Sequence, residues 1–385
     1  MKQLSERIRQ VSASRTVRLS GVIDSLRRKG QDIINLGIGE PDESPSPDVL
    51  LKTAAALTGG ETRYGPVSGI PELREAVAGS FDGYGEENVI VTNGSKQALY
   101  TVLQVLCNPG DEVIIPRPCW VSFCEQIKLA GARPVLVDTI AHQLDVDAIE
   151  RAVNADTKAI LINSPNNPTG AVYKREDLER VADLARVHDL YLLSDEAYEA
   201  FVYDGWTHTS LFDFPHIRDR LIVAGSFSKT FCMTGFRIGY GVGPKDIISA
   251  MSRLQSHLTG NVCTFAQHGA LAATRLDASG LDRWRDALQK KRDITLEMLK
   301  ELPCHTPRGA FYVFPDVTRC LKNGEGAEDL AAEILQRTNV AVTPGEAFGG
   351  NGHIRICYAI EVDRLIQGLE RVAQVIHERI GANSP

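Results

Sequence analysis

Residues 221–237 read LIVAGSFSKTFCMTGFR, and they constrain both the fold and the chemistry of the chain. The apolar run at the start is typical of a buried strand, and the segment after it is broken by glycine. Lys229 supplies an amine nucleophile. Ser226 and Ser228 add hydroxyls, and Arg237 adds a fixed positive charge. An amine that forms a Schiff base with an aldehyde cofactor needs such neighbours if the cofactor also carries a phosphate.

Outside this stretch, the middle of the chain alternates short apolar runs with segments of helical periodicity. Strands that alternate with helices indicate βαβ units and a largely parallel sheet. We therefore predict an α/β fold in which helices flank a mostly parallel, seven-stranded sheet. The predicted strands are Val89–Thr92, Glu112–Pro116, Arg133–Asp138, Ala159–Asn163, Leu190–Ser194, Leu221–Gly225 and Ile238–Val242. The predicted helices between them are Lys96–Leu106, Val146–Val153, Glu176–His188 and Lys245–His257.

The length and the C-terminal pattern predict two domains. A chain of 385 residues is long for a single core. Beyond residue 280, a long charged helix pattern at 287–302 precedes short apolar runs, which is typical of a smaller α+β domain. We expect residues 46–280 to form the large domain and residues 281–385 the small one. Residues 1–45 would be an N-terminal arm that completes the small domain.

Composition narrows the class of protein. The net charge of -7 argues against a nucleic-acid binder. No apolar run approaches the roughly 20 residues that span a bilayer. The eight cysteines are scattered without metal-ligand spacing, so we predict reduced thiols, no metal site and a cytoplasmic location. The first twenty residues are rich in Arg and Ser, as in transit peptides, but we interpret them as part of the mature protein.

Polar residues follow the predicted strands, at the sheet edge where ligands bind in α/β proteins. The turn at Gly94 and Ser95 opens a helix, and its free N–H groups and dipole favour an anion there. An ordinary helix cap explains this turn equally well. Asn167 lies in an Asn- and Pro-rich turn from which its amide could donate to an anionic oxygen. That composition is also expected of a plain strand-end turn.

Three further side chains have a functional and a structural interpretation. Asp195 follows an apolar strand, so its carboxylate needs a cationic partner, with Tyr198 close by; it could also begin a helix. The indole of Trp120 suits stacking on a flat heteroaromatic ring, although an isolated Trp is usually packed in a core. Arg355 lies between apolar residues and suits a carboxylate of a ligand or of the protein itself.

These residues together resemble the class I aminotransferases of the fold type I pyridoxal phosphate (PLP) enzymes. The resemblance runs from about residue 12 to the C-terminus and is closest to the prokaryotic-type aspartate aminotransferases. The motifs that carry it occur in the expected order. They are Gly37–Asp42, Tyr64–Pro66, Gly69–Arg74, Asn93–Gln97, Pro109–Val113, Asn167–Gly170, Asp195–Tyr198, Ser226–Lys229, Thr234–Arg237 and Arg355.

The resemblance implies a site for pyridoxal 5'-phosphate. Lys229 would form the Schiff base with it and later transfer a proton, and Asp195 would pair with its ring nitrogen. Tyr198 and Asn167 would contact its phenolic oxygen. The positions that would surround the phosphate or the ring are Gly94, Ser95, Lys96, Ser226, Ser228, Arg237 and, stacked on the ring, Trp120.

It also implies amino acid and 2-oxo acid substrates and ping-pong kinetics. Arg355 would hold the substrate α-carboxylate, and Lys96 would contact a distal carboxylate of aspartate or glutamate. Tyr64 would reach the phosphate of a neighbouring subunit, which predicts a homodimer. The other implied substrate contacts are Gly39, Trp120, Asn167, Ser14 and Thr16.

Departures from the family pattern leave the substrate open. Arg15 adds a charge where a small residue is usual, Glu43 begins an unusual segment, and Cys119 replaces a common Tyr. The alternatives are an aminotransferase for aromatic or other uncharged amino acids and a PLP-dependent C–S lyase on the same fold. A PLP-binding regulatory protein would need a DNA-binding domain that this acidic chain has no evident room for.

Overall fold

The computed structural model describes residues 4–13 and 15–383. Its α-helices are α1 Glu6–Arg9, α2 Arg15–Arg28, α3 Pro47–Thr58, α4 Pro71–Ala78, α5 Ser95–Leu106, α6 Ser122–Leu129, α7 Val146–Ala152, α8 Arg175–Val187, α9 Phe227–Thr230, α10 Lys245–Leu258, α11 Thr264–Ala273, α12 Ala278–Met298, α13 Ala327–Thr338 and α14 Val362–Asn383. Its strands are β1 Ile34–Asn35, β2 Val89–Thr92, β3 Glu112–Arg117, β4 Arg133–Asp138, β5 Thr157–Asn163, β6 Tyr191–Asp195, β7 Leu221–Ser226, β8 Gly239–Val242, β9 Tyr312–Val313, β10 Val340–Ala341, β11 Thr343–Pro344 and β12 Ile354–Cys357.

Seven strands form the large sheet, in the order β2-β8-β7-β6-β5-β3-β4. Strands β3 to β7 pair in parallel, whereas β8 is antiparallel to both of its neighbours. The carboxyl ends of the parallel strands therefore meet at one edge of the sheet. This is the mostly parallel, seven-stranded sheet that the sequence predicts.

Both faces of this sheet are buried because its strands are apolar at successive positions. Within β5, Ile160 and Ile162 belong to one core cluster, and Ala159 and Leu161 belong to another. Side chains alternate between the faces of a strand, so the two clusters lie on opposite sides of the sheet. β5 begins at Thr157, two residues before its prediction, because this polar residue extends the ladder to β3.

The flanking helices bury one apolar stripe each. In α8, Leu178, Val181, Ala182 and Ala185 follow the spacing of one helix face and are all buried. The first helix pattern of the predicted small domain has different bounds in the structure. α12 begins well before the predicted residue 287 because Leu281 and Trp284 pack against the C-terminal core despite the Ser and Gly in the first turn.

Two small sheets lie in the C-terminal part, and one of them includes the N-terminal segment. β1 pairs in parallel with β10, and β9, β12 and β11 form an antiparallel sheet. Ile34 and Leu36 belong to the same core cluster as α13 and α14. The division into domains at residues 45 and 280 stays a prediction. In the part of the chain that is described, no helix is both long and apolar enough to cross a membrane.

Candidate active site

A cavity of about 550 Å³ lies at the carboxyl edge of the large sheet. It is the point at which an open α/β sheet binds ligands. The predicted site residues that line it are Gly39, Gly94, Ser95, Lys96, Trp120, Asn167, Asp195, Tyr198, Ser226, Ser228, Lys229, Arg237 and Arg355. A larger cavity, of about 680 Å³, is lined around His142 and contains none of them. The chemistry therefore points to the smaller cavity.

Lys229 enters the cavity from α9, the short helix that directly follows β7. The hydroxyl of Ser226 caps this helix by accepting a hydrogen bond from the Ser228 amide, at 3.1 Å. The Lys229 Nζ donates to the Gly39 carbonyl at 2.7 Å. Burial lowers the pKa of the Lys229 amine to about 8. A much larger fraction than for an ordinary lysine is therefore uncharged near neutral pH, which is the form that attacks an aldehyde.

Asp195 lies at the end of β6, directly beside β7. The carboxyl is buried, and its Oδ1 accepts a hydrogen bond from the Ala197 amide at 3.2 Å. Burial raises the pKa of Asp195 to about 7. Among the described residues no cation forms an ion pair with this carboxyl, so it fits a cationic group of a ligand. A protonated pyridine nitrogen is such a group.

The turn between β2 and α5 offers a cradle for a phosphate. Gly94 has a φ of +77°, and a Cβ at this position would lie 2.6 Å from the Arg237 Nη2. The absence of a side chain at Gly94 lets the guanidinium of Arg237 approach the N-terminus of α5. Arg237 is itself in the left-handed region, with a φ of 56°, and its Nη1 donates to the Thr234 carbonyl at 2.8 Å. Backbone N–H groups, serine hydroxyls and a guanidinium thus meet at one point.

Trp120 and Lys96 form the neighbouring wall. The Lys96 Nζ lies 4.8 Å from the centre of the Trp120 ring, and that ring packs edge-on against Phe123. Although Lys96 as a whole is exposed, burial of its ammonium and then the charge of Arg237 lower the pKa of Lys96. The ammonium is directed over the indole and into the cavity rather than away from the protein.

Arg355, on β12, is held for binding a carboxylate. Its guanidinium lies between the rings of Tyr312 and Phe348, at 4.4 and 4.7 Å from their centres. Nη1 donates to Asn167 Oδ1 at 2.8 Å, and Nη2 donates to the Gly37 carbonyl at 2.5 Å. The Arg355 Nε is a buried donor without a hydrogen-bond partner in the described part of the chain. Buried donors are rarely left unpaired, so this one indicates a ligand oxygen.

Some of the predicted site residues are either not described by the structure or do not line this cavity. Ser14 is not among the described residues, and the side chains of Arg15 and Thr16 are not described either. The same N-terminal segment does reach the cavity, because Val17 and Ser20 of α2 line it. Tyr64 does not line the cavity, and its side chain is 99% exposed in the single chain. Its predicted role in a neighbouring subunit stays a prediction.

Sequence reasoning did not single out Tyr312. This buried residue of β9 lines the cavity, and its hydroxyl lies 2.7 Å from the hydroxyl of Tyr198. Its only signal was a place in an apolar run, which predicts a core residue. The contact between the two hydroxyls joins residues 114 positions apart, and no spacing pattern predicts such a contact.

One group of potential metal ligands occurs among the described residues, and none of its members lines this cavity. It consists of Glu196, Glu199 and His208, with ligand atoms within 4.8 Å of one another. Glu196 already accepts hydrogen bonds from Ser194 and Ser210, at 2.7 and 2.9 Å, and contacts His208 at 3.1 Å. We interpret the group as a hydrogen-bonded network.

Comparisons with known proteins identify the family. The family model for aminotransferase class I and II matches residues 31–372. The aspartate aminotransferase of Streptomyces avermitilis is 38% identical, over 98% of this chain and 97% of the relative. The aspartate/prephenate aminotransferase of Thermus thermophilus is 41% identical, over 98% and 99%. The structure of the Thermus thermophilus aspartate aminotransferase with maleate has a TM-score of 0.92 at 39% identity, over 97% of this chain and 100% of that one.

These findings confirm the predicted fold class, the family and the cofactor. The cationic ring nitrogen, the phosphate and the aldehyde of pyridoxal 5'-phosphate match Asp195, the Gly94 turn and Lys229 respectively. The chain belongs to the class I aminotransferases, enzymes that use pyridoxal 5'-phosphate to transfer the amino group of an amino acid to a 2-oxo acid.

Proposed function

We propose that the amino donor is a dicarboxylic amino acid, aspartate or glutamate. The observation that carries this proposal is that the cavity holds two basic side chains besides Lys229 and Arg237, with Arg355 on one wall and Lys96 on another. The first would bind the α-carboxylate that all amino acids share. The second would bind a distal carboxylate. The names of the aspartate aminotransferases of Streptomyces avermitilis and Geobacillus stearothermophilus support the same substrate class.

The roles of the cofactor-side residues are proposed from the same geometry. When bound, the pyridinium ring of the cofactor supplies an electron sink for the bond that breaks at the substrate α-carbon. Asp195 would hold the ring nitrogen in its protonated form. Lys229 would anchor the cofactor and, once freed, carry the proton from the α-carbon as a general base. The Gly94 turn and Arg237 would fix the phosphate, so the ring keeps its position while the lysine moves.

On the substrate side, the chain would orient the amino acid before any bond breaks. Arg355 would hold the α-carboxylate in a plane set by the rings of Tyr312 and Phe348. Asn167 already accepts a hydrogen bond from that guanidinium, so it would hold Arg355 in position before the substrate binds. Trp120 would cover one face of the cofactor ring. Such orientation converts a bimolecular step into an effectively unimolecular one.

A homodimer is part of the proposal. The exposed Tyr64 follows α3, where Leu50, Leu51 and Leu57 are also exposed in the single chain. Apolar side chains that cluster at a surface are typical of an interface. A second copy that covers them would bring Tyr64 to a neighbouring cavity. We also propose that the protein works in the cytoplasm, where its eight free thiols stay reduced.

Borohydride trapping followed by an amino-acid screen tests the proposal. Borohydride reduction of the purified yellow protein should fix the cofactor to Lys229, and peptide mapping should find the label there. In a separate, unreduced sample, aspartate or glutamate should convert the bound cofactor to its amine form faster than alanine or phenylalanine do. The acceptors to compare are oxaloacetate, 2-oxoglutarate and prephenate, because some relatives are named for prephenate.

Three results would contradict parts of this proposal. A label on another lysine would remove Lys229 from its role. Faster conversion by uncharged donors would favour the aromatic or neutral amino-acid alternative. Release of a thiol from a cysteine derivative, without transfer of its amino group, would favour the C–S lyase.

A further inference from the structure

Tyr312 contacts residues proposed to bind the cofactor and residues proposed to bind the substrate. Its phenol is fully enclosed, with 1% of the residue exposed, and the oxygen lies 2.7 Å from that of Tyr198. No other hydrogen bond to the Tyr198 hydroxyl is present within the described residues. The two hydroxyls therefore act together. If Tyr312 donates its proton to Tyr198, the Tyr198 hydroxyl is free to donate its own proton to a ligand.

The ring of Tyr312 has a second partner. Its ring centre lies 4.4 Å from the guanidinium carbon of Arg355, which is also 4.7 Å from the ring centre of Phe348. A guanidinium beside two aromatic rings is attracted to both, and this attraction restrains its orientation. The Arg355 Nε is a buried donor without a partner among the described residues, so a carboxylate that pairs with it must approach in the plane of the guanidinium.

The Tyr312 hydroxyl also packs against the peptide of Gly39. A Cβ at that position would lie 1.9 Å from the hydroxyl oxygen, so only glycine permits the contact. The carbonyl of the same residue accepts the hydrogen bond from the Lys229 amine. The side chain of Tyr312 therefore contacts Tyr198 on the cofactor side, Arg355 on the substrate side, and Gly39, whose carbonyl binds the Lys229 amine.

We propose that Tyr312 is a positioning residue that couples the carboxylate clamp at Arg355 to the hydroxyl of Tyr198. Its ring fixes the guanidinium plane, and its hydroxyl directs the Tyr198 proton towards the cofactor's phenolic oxygen. This inference rests on the proposed roles of Arg355 and Tyr198. It predicts two separable functions of one side chain, because the ring and the hydroxyl can be removed independently.

Tyr312→Phe removes the hydroxyl and keeps the ring. Without the Tyr312 hydroxyl as a donor to Tyr198, the hydrogen bond from Tyr198 to the cofactor's phenolic oxygen becomes weaker. A weaker hydrogen bond to that oxygen favours the protonated form of the lysine-linked cofactor. In the holoenzyme, the pH midpoint of the cofactor's visible absorbance should rise by about half a unit. Turnover should fall about threefold to tenfold, whereas the KM for aspartate should change less than about twofold.

Tyr312→Leu removes the ring as well. The guanidinium then loses one of its two aromatic faces, so binding of carboxylates should suffer as well as turnover. The dissociation constant for maleate, a dicarboxylate without an amine, should rise roughly tenfold in the Leu variant and stay near the wild-type value in the Phe variant. Maleate cannot react, and Lys96 is unchanged in both variants, so the difference in maleate binding between the Phe and Leu variants reports the contact with Arg355.

Tyr203→Phe is the matched control. Tyr203 is a buried tyrosine of the same core cluster, and its hydroxyl bonds to the Ala310 carbonyl rather than lining the cavity. Its loss should leave the absorbance midpoint unchanged. An unchanged midpoint in Tyr312→Phe, an equal shift in Tyr203→Phe, or unaltered maleate binding in Tyr312→Leu would each overturn the coupling. Failure of the wild type to be labelled at Lys229 would instead contradict the proposed function.

Discussion

The two sides of the cavity are built from different kinds of structure. On the cofactor side, Asp195 and Lys229 follow adjacent parallel strands of one sheet, with the Arg237 guanidinium beside them. On the substrate side, Arg355 and Tyr312 come from a small antiparallel sheet. Gly39, which completes that side, belongs to the first 45 residues of the chain.

This difference teaches where each property of the enzyme resides. Positions on neighbouring strands of one buried sheet are fixed relative to each other by ladder hydrogen bonds, so the cofactor side has little freedom to vary. The substrate side depends on how three distant segments pack together. We expect chemistry to be set by the first side and substrate choice by the second, and three experiments can break that division.

The largest effect is expected at Asp195. Asp195→Asn keeps the shape and the acceptor for the Ala197 amide but removes the charge beside the cofactor ring. Turnover should fall about 100- to 1000-fold for every amino donor, because the change removes electrostatic stabilisation that all donors share. Steady-state rates with aspartate and phenylalanine measure it. Unequal losses for the two donors would place substrate choice on the cofactor side too.

The same substitution should stabilise the protein once the cofactor is removed. The folded-state pKa of Asp195, about 7, exceeds its ordinary value near 4. The folded protein therefore holds this proton more tightly, and the wild type loses stability as pH rises between those values. Urea unfolding should show a gain for Asp195→Asn that is about 1 to 3 kcal/mol larger at pH 8 than at pH 5. Asp246→Asn, at an exposed position, is the control and should show no such difference.

The next effect concerns Lys96, a residue of α5 beside the phosphate turn that is proposed to bind the distal carboxylate of the substrate. Opposite charges a few ångströms apart at an effective dielectric near 20 attract by about 4 kcal/mol before desolvation is subtracted. Lys96→Ala should therefore lower kcat/KM for aspartate or glutamate roughly 10- to 100-fold and leave alanine nearly unchanged. Lys128→Ala, which removes a lysine paired with Glu125, is the matched control. Equal losses for all donors would show that Lys96 does not select the substrate.

The smallest effect tests whether a second subunit adds to the cofactor side. Tyr64→Phe and Lys229→Ala protomers are mixed, after each variant alone is shown to be strongly impaired. If each site combines Lys229 of one chain with Tyr64 of the other, each hybrid dimer should have one native site, so a random 1:1 mixture should regain about a quarter of the native activity. A mixture of Lys229→Ala with the double variant should regain none. Absence of recovery in verified hybrids would confine each site to one chain.

The sequence predicts the cofactor side well for a physical reason. Asp195 and the Ser226–Lys229 segment follow apolar strands, and parallel strands bring their carboxyl ends together whatever the details of packing. Arg237 and Gly94 belong to the same prediction, because the turn at Gly94 opens a helix. The structure places all of these residues around one cavity.

The substrate side is predicted less completely. Arg355 stands out as a charge between apolar residues, but nothing in its neighbourhood indicates the rings of Tyr312 and Phe348 that flank it. Those contacts arise from tertiary packing between segments of the small sheets. The N-terminal segment does reach the cavity through Val17 and Ser20, and the expected contacts of Ser14 and Thr16 stay predictions because their side chains lie outside the described part of the chain.

The pairing of β1 with β10 has a consequence for how the chain is made. All seven strands of the large sheet have been synthesised once Val242 has left the ribosome. Ile34 and Leu36, in contrast, are buried against partners near residue 340. At roughly 5 to 20 residues per second, these two apolar side chains wait about 15 to 60 s for those partners.

During the last third of that interval, after Val242 has been made, the N-terminal segment is an unpaired strand attached to a sheet that can already fold. Gly39 belongs to this segment, and it supplies the carbonyl that receives the Lys229 amine. A nascent chain can therefore form the cofactor side of the cavity early, but it acquires a closed substrate side only when translation reaches its last helix. A chain released before β10 contains Lys229 but lacks Arg355 and the strand that pairs with β1.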